Sequence, residues 1–176
     1  MNIDVIVRCK ETVSTFFDQL KFCQHLNVVV NVPVSTAYDQ WTQFESFPEF
    51  MEGVKEVVQL DEKRLRWRAD VAGKDEEWEA EITDQVPDHH IAWRSLTGAM
   101  NAGSVIFQPA GDGQTKVSLE LTYEPRDAGE KVGDALGLLE RRVSGDLERF
   151  KRFIESRGAP TGAWRGEIHG GRVDKG

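Results

Sequence analysis

Apolar and polar residues alternate with period two over Arg64–Ala72. Leu65, Trp67, Ala69 and Val71 fall on one face, and Arg64, Arg66, Arg68 and Asp70 on the other. That is the pattern of a half-buried strand. A second alternating run, Trp78, Ala80 and Ile82, follows Gly73-Lys74, a pair that suits a two-residue type II′ hairpin. A turn placed there sets Ala72 opposite Asp75, Arg68 opposite Glu79 and Arg66 opposite Glu81. Opposite charges then meet on one face and apolar groups on the other, and two independent patterns agree on one register.

Other segments read as strands by β-branched content or alternation: Leu26–Val32, Val54–Leu60, His90–Leu96, Ala102–Gln108 and Thr115–Tyr123. Their inward sets are Ile91, Trp93 and Ser95, then Gly103, Val105 and Phe107, then Val117, Leu119, Leu121 and Tyr123. Pro87-Asp88 and Gly111-Asp112-Gly113 supply turns. Ser35 reads as the N-cap of a short helix running to Trp41, and a further short helix covers Phe44–Met51 and stops at Gly53.

After Pro125 the period changes to 3.6. Val132, Ala135, Leu136, Leu139, Val143, Leu147, Phe150 and Ile154 form one apolar stripe, with Gly158 and Pro160 as the stop. At 1.5 Å per residue this helix would reach roughly 40 Å. Gly133 and Gly137 inside it cost up to roughly 1 kcal/mol each against alanine, so close sheet approach, room for a ligand or a kink is expected there. The division expected is 1–25 as an N-terminal extension, 26–158 as one domain and 159–176 as a Gly-rich tail, mobile at its end. Within the extension, Ile3, Val5 and Val7 suggest a strand and Thr12–Phe22 a helical turn or two.

The bulk numbers narrow the function. A chain of 176 residues, 39% hydrophobic and 30% charged, suits one globular domain. The net charge of -8 argues against generic binding of nucleic acid. The Arg64, Arg66, Arg68 row is neutralised by Glu77, Glu79 and Glu81 beside it. No apolar run approaches a membrane span, so no stable membrane insertion is expected. No secretory signal is visible and the cysteines are only Cys9 and Cys23, which makes the cytoplasm the default. Cys23-Gln24-His25 has no second pair at zinc spacing, and Gly111-Asp112-Gly113 and Gly170-Gly171 lack the setting of a phosphate loop. Neither metal nor cofactor is expected.

The stretches VPVSTAYDQWTQFESFPEFMEGV, LRWRADVAGKDEEWEAEITDQVPDHHIAWRS, GAMNAGSVIF and GDALGLLERRVSGDLERFKRFIESRG resemble bacterial proteins labelled cyclase/dehydrase. Those proteins are members of the START-like, or SRPBCC, superfamily, and the resemblance to them runs from Val28 to Gly158. It implies an α+β helix-grip fold: a curved antiparallel sheet of about seven strands wrapped around a long C-terminal helix, with two short helices after the first strand. It also implies a cavity between sheet and helix. The wall would be Trp67, Trp78, Trp93, Phe107, Leu119, Tyr123, Leu136, Leu139 and Val143. Residues 1–25 depart from the family pattern, which usually begins near the first strand.

The residues themselves leave open whether this inner face lines a cavity or fills a core. Cyclisation would need a placed acid or base, and Tyr123 and Arg94 are the candidates, with His89, His90 and Asn101 behind them. The alternation places Arg94 outward, the histidines read as turn residues, Asn101 as a loop residue, and Tyr123 as packing with its hydroxyl paired. No Ser-His-Asp set is readable. The reading favoured is therefore a non-catalytic binder or carrier of a small apolar or aromatic molecule, such as a lipid, isoprenoid or polyketide-like compound. The alternatives are a polyketide cyclase/dehydratase-type enzyme and an interaction module with a filled core. Monomer and homodimer are both compatible with it.

Overall fold

The computed structural model describes residues 22–71, 73–98, 101–123 and 132–174, with the side chains of 22–23, 123, 132–136 and 139 excluded. The strand expected at Ile3–Val7 and all but the last residue of the helix expected over Thr12–Phe22 lie outside the described residues; Phe22 opens a strand instead.

The chain runs β1 (Phe22–Val30), α1 (Val34–Trp41), a 3-10 helix (Phe44–Glu49), β2 (Val54–Gln59), β3 (Arg64–Val71), β4 (Lys74–Val86), β5 (His90–Ser95), β6 (Asn101–Gly111), β7 (Gln114–Tyr123), α2 (Val132–Arg157), β8 (Glu167–His169) and β9 (Arg172–Asp174). The main sheet has the order β1-β7-β6-β5-β4-β3-β2, every neighbouring pair antiparallel. Alternation buries one face: Leu26, Val28 and Val30, then Val105 and Phe107, then Val117 and Leu119. α2 lays Leu147, Phe150 and Ile154 against that face. This is the α+β helix-grip arrangement, an open curved sheet held against a C-terminal helix. Gly158, at φ 69, ends α2, and its N–H bonds Ile154 O at 2.9 Å.

Three expectations are corrected. The first concerns the β3–β4 turn. Val71 pairs with Lys74, so Gly73 (φ 81) is the second turn residue and the register moves by two. Arg64 then faces Glu81, Arg66 faces Glu79 and Arg68 faces Glu77. A shift of two keeps every side chain on its face, so opposite charges still meet. Second, α1 starts at Val34 with Pro33 as its cap and no side-chain cap bond. Pro33 sits at φ -59, ψ 155, and its carbonyl accepts the Ala37 N–H at 3.1 Å, leaving Ser35 inside the helix. Third, Asn101 opens β6 opposite Tyr123 and is no loop residue.

The segment after α2 packs on the domain. Residues 161–165 are pinned to α1 and its cap Thr42. Gln40 Nε2 donates to Thr161 Oγ1 at 3.2 Å, Thr161 N donates to Gln40 Oε1 at 2.9 Å, and Trp164 N donates to Thr42 Oγ1 at 3.1 Å. Gln40 and Thr42 are buried, so these bonds satisfy polar groups that would otherwise be costly. Arg165 grips Asp39 through both carboxylate oxygens at 2.8 Å and Asp88 at 2.7 Å. The β8–β9 hairpin then adds to the sheet, making nine strands. β4 has 13 residues against 8 in β3, which leaves a bare stretch of β4 edge. Gln85 pairs there with Ile168, and Gly171 N donates to Thr83 O at 2.9 Å. Ile168 is wholly buried in the core, so the edge and an apolar side chain are covered together.

Candidate functional site

The concave face divides into two halves. Toward the β6–β7 turn every inward apolar side chain is sealed. Trp41, Phe47, Phe50, Phe107 and Phe150 are each at most 3% exposed and meet ring to ring; Trp41 and Phe150 have centroids 4.8 Å apart at 74°. Toward the other end burial is incomplete. Trp67, Trp78, Trp93, Leu121 and Val143 are half-buried although they belong to the inward sets.

Three adjacent strands supply the indoles. Trp67 on β3 and Trp78 on β4 are direct cross-strand partners, their rings stacked at 5.9 Å and 7°. Phe47 braces Trp67 from behind at 5.6 Å. Trp93 on β5 is the partner of Ile82 and of Gly103. Polar groups share this open half. Gln24 pairs with Leu121, Asn101 with Tyr123, and the Asn101 N–H donates to Ser95 Oγ at 3.0 Å. Over α2, Gly137 and Leu138 are exposed, and a Cβ on Gly137 would touch nothing within 4 Å. Close sheet approach is therefore not what Gly137 provides; the environment of Gly133 is outside the description.

The rim that joins α2 to the sheet is polar. Arg142 donates to Glu52 O at 2.9 Å and to Asp70 O at 2.9 Å, and its guanidinium occupies the space a Cβ on Gly53 (φ 75) would need. Arg149 donates to Phe50 O at 2.9 Å and pairs with Asp146. Burial pushes the Asp146 carboxyl up, against the pull of the Glu52 N–H and Arg149. The spacing of Arg142, Asp146 and Arg149 along one helix face was a readable signal for this clamp. Outside it lies a surface depression of about 280 Å³ lined by Pro48, Glu49, Phe50, Met51, Glu52 and Arg149. It shares no residue with the wall expected from the sequence.

The expected wall thus separates. Trp67, Trp78, Trp93 and Val143 border the open half. Phe107, against Tyr38 at 5.6 Å and Trp41 at 6.1 Å, belongs to the sealed half, as does Leu119, 6% exposed. The backbone of Tyr123 stands at the open end beside Phe22 and Asn101; its side chain and those of Leu136 and Leu139 are outside the description. Arg94 points to the convex face, where it meets Glu81 at 3.1 Å and is 62% exposed. That placement removes it from chemistry in the concavity. His89 and His90 also lie away from the concavity, in a chain with Asp84, His169 and Glu167 at 2.7–3.2 Å. Among the described residues no group of three or more His, Cys, Asp or Glu side chains is placed to hold a metal ion, and no helix is long and apolar enough to cross a membrane.

Residues 30–152 match the family model for polyketide cyclase / dehydrase and lipid transport. The chain belongs to this family. An uncharacterized 17.2 kDa protein of Streptomyces lincolnensis is 49% identical over 143 residues, covering 81% of this chain and 95% of the relative. Among solved structures, the Zhui aromatase/cyclase of a Streptomyces species superposes with a TM-score of 0.69 at 18% identity, over 82% of this chain and all of the other. A START superfamily protein from Mycobacterium smegmatis superposes with a TM-score of 0.65 at 15% identity, over 75% and 98% of the two chains. At those identities the family's structural neighbours attest the START-like fold.

Proposed function

We propose that this family member binds a small apolar or aromatic molecule between the concave sheet and the first half of α2. The observation that carries the reading is the contrast in burial within one inner face: the rings of the sealed half are shut from solvent, while Trp67, Trp78 and Trp93 are half-buried. Indoles held on a concave sheet suit a ligand that is itself largely apolar and planar. The family description, which includes lipid transport, and the aromatase/cyclase likeness support it. The test is native mass spectrometry of freshly purified protein before and after organic extraction. A stoichiometric apolar adduct lost on extraction is the expected result. Protein that is bare when purified and takes up no fatty acid, quinone or polycyclic aromatic would reject the reading.

A second reading, cyclisation or dehydration of a poly-β-carbonyl chain, is favoured by the polar groups Gln24, Ser95 and Asn101 gathered where the Tyr123 backbone ends β7. It predicts that Tyr123→Phe lowers turnover without lowering ligand affinity. An unchanged rate takes Tyr123 out of the mechanism.

A further inference from the structure

The sealed half of the concavity is more than packing. Its rings come from four separate elements: Trp41 from α1, Phe47 and the adjoining Phe50 from the 3-10 segment, Phe107 from β6 and Phe150 from α2. Trp41, Phe47, Phe50 and Phe150 touch in a closed circuit, and Phe107 joins it through Trp41. Trp41 meets Phe150 at 4.8 Å, Phe107 at 6.1 Å and Phe47 at 5.7 Å, and Phe50 meets Phe150 at 5.2 Å, with planes 60–74° apart. Rings buried against one another from four elements are close-packed, so one ring moves aside only by displacing its neighbours. With Phe107 the circuit reaches from the sheet across to the helix, so it closes the concavity in cross-section at Leu147–Phe150. Only 132–143 of the 26-residue α2 faces the open half, a length of about 18 Å.

We propose that the Trp41–Phe47–Phe50–Phe150 circuit, with Phe107 seated on Trp41, is a fixed floor that sets the length of the ligand, admitting compact ring systems and short chains and excluding extended acyl chains. This rests on the binding reading above and adds a size limit to it. Nothing in that reading requires such a limit, because a concavity open from end to end would bind apolar molecules too.

The test is a titration followed by tryptophan fluorescence, using straight-chain carboxylic acids and anthracene carboxylate as the planar probe. The acids run from about six to about eighteen carbons, and affinity should rise roughly three- to fourfold per methylene while chain still enters. The expected result is a break in that rise at about a dozen carbons, the reach of the open half, with anthracene carboxylate bound. In Phe150→Leu, which removes ring volume at the floor, the break should move to longer acids. An uninterrupted rise to the longest acid overturns the floor. A break that stays put in a folded Phe150→Leu overturns its assignment to these rings. The wild-type series decides the length limit even where the variant does not fold. If no acid and no planar probe binds at all, the binding reading itself fails, and the floor with it.

Discussion

The Trp93 ring lies directly across Gly103, its cross-strand partner: a Cβ at residue 103 would stand 2.6 Å from Trp93 Cζ2. The same Cβ would meet Glu120 O at 2.6 Å and Leu121 Cδ2 at 3.0 Å. The missing side chain lets the indole come close to the β6 backbone, a use of strand glycine where close approach is required. Gly103→Ala is therefore expected to destabilise the fold by about 1–3 kcal/mol through overpacking. It should also tilt Trp93 toward the concavity. Urea unfolding gives the first effect and near-ultraviolet circular dichroism the second; a variant with wild-type values in both would mean that Trp93 is not seated as described.

Trp78 can be separated from its scaffold role by chemistry. Trp78→Ala removes one ring of the stacked pair with Trp67 and is expected to weaken the bound apolar ligand about three- to tenfold, the worth of one lost ring–ring contact. Trp78→Phe keeps a ring and should retain most of the affinity. Calorimetric titration with the ligand recovered by extraction checks both. Equal losses in the two variants would point to a disturbed fold instead.

Tyr38 and Gln85 form a buried pair: Gln85 Nε2 donates to Tyr38 Oη at 2.8 Å, and neither residue is more than 1% exposed. Burial pushes the phenol up to about 12, against the weaker pull of the Gln85 bond and Arg165. It therefore stays neutral across the physiological range. Tyr38→Phe strands the amide and should cost about 1–3 kcal/mol. Tyr38→Phe combined with Gln85→Met should cost less than the sum of the single changes. Denaturant unfolding of the four proteins reads the cycle, and simple additivity would show the pair to be uncoupled.

The strands were legible where side chains alternate cleanly. Leu65, Trp67 and Ala69 could only be read one way. The β3–β4 register was not legible, because a glycine at 73 satisfies either turn position and a slip of two leaves the faces unchanged. The β8–β9 hairpin escaped because three-residue strands carry almost no period. The signal was present in Ile168 and Val173 around Gly170-Gly171. For the site, parity along β3, β4 and β5 placed the indoles on the inner face. It could not say that Phe107, on the same face, would meet Tyr38 and Trp41. That contact depends on where α1 crosses the sheet, which no local pattern records.

His169 links the added hairpin to β4 through Asp84 at 3.2 Å and also bonds Glu167 at 3.1 Å. Glu167 first and Asp84 second hold its imidazolium above the ordinary 6.5. For Asp84, burial opposes ionisation, but the bonds and charges of His90 and His169 outweigh it and hold the carboxyl below 3.8. The histidine's contribution is complete below pH 6.5 and is lost as pH rises through its higher folded value. The aspartate's is present above pH 3.8 and is lost as pH falls through its lower folded value. Amide exchange at Ile168 and Val173 should therefore be slowest between these limits and quicken, relative to the rest of the sheet, toward pH 9. His169→Asn should remove the alkaline loss. An unaltered profile in that variant would assign the pH response elsewhere.

The pairing of β1 with β7 also sets a clock on biosynthesis. Leu26, Val28 and Val30 emerge early, yet their partners Leu119, Val117 and Thr115 come some 90 residues later, about 5–20 s of synthesis at ordinary elongation rates. For that interval the nascent chain carries an apolar strand with nothing to pair it. Its safe passage is then a matter of handling by the cell as much as of the stability of the finished fold.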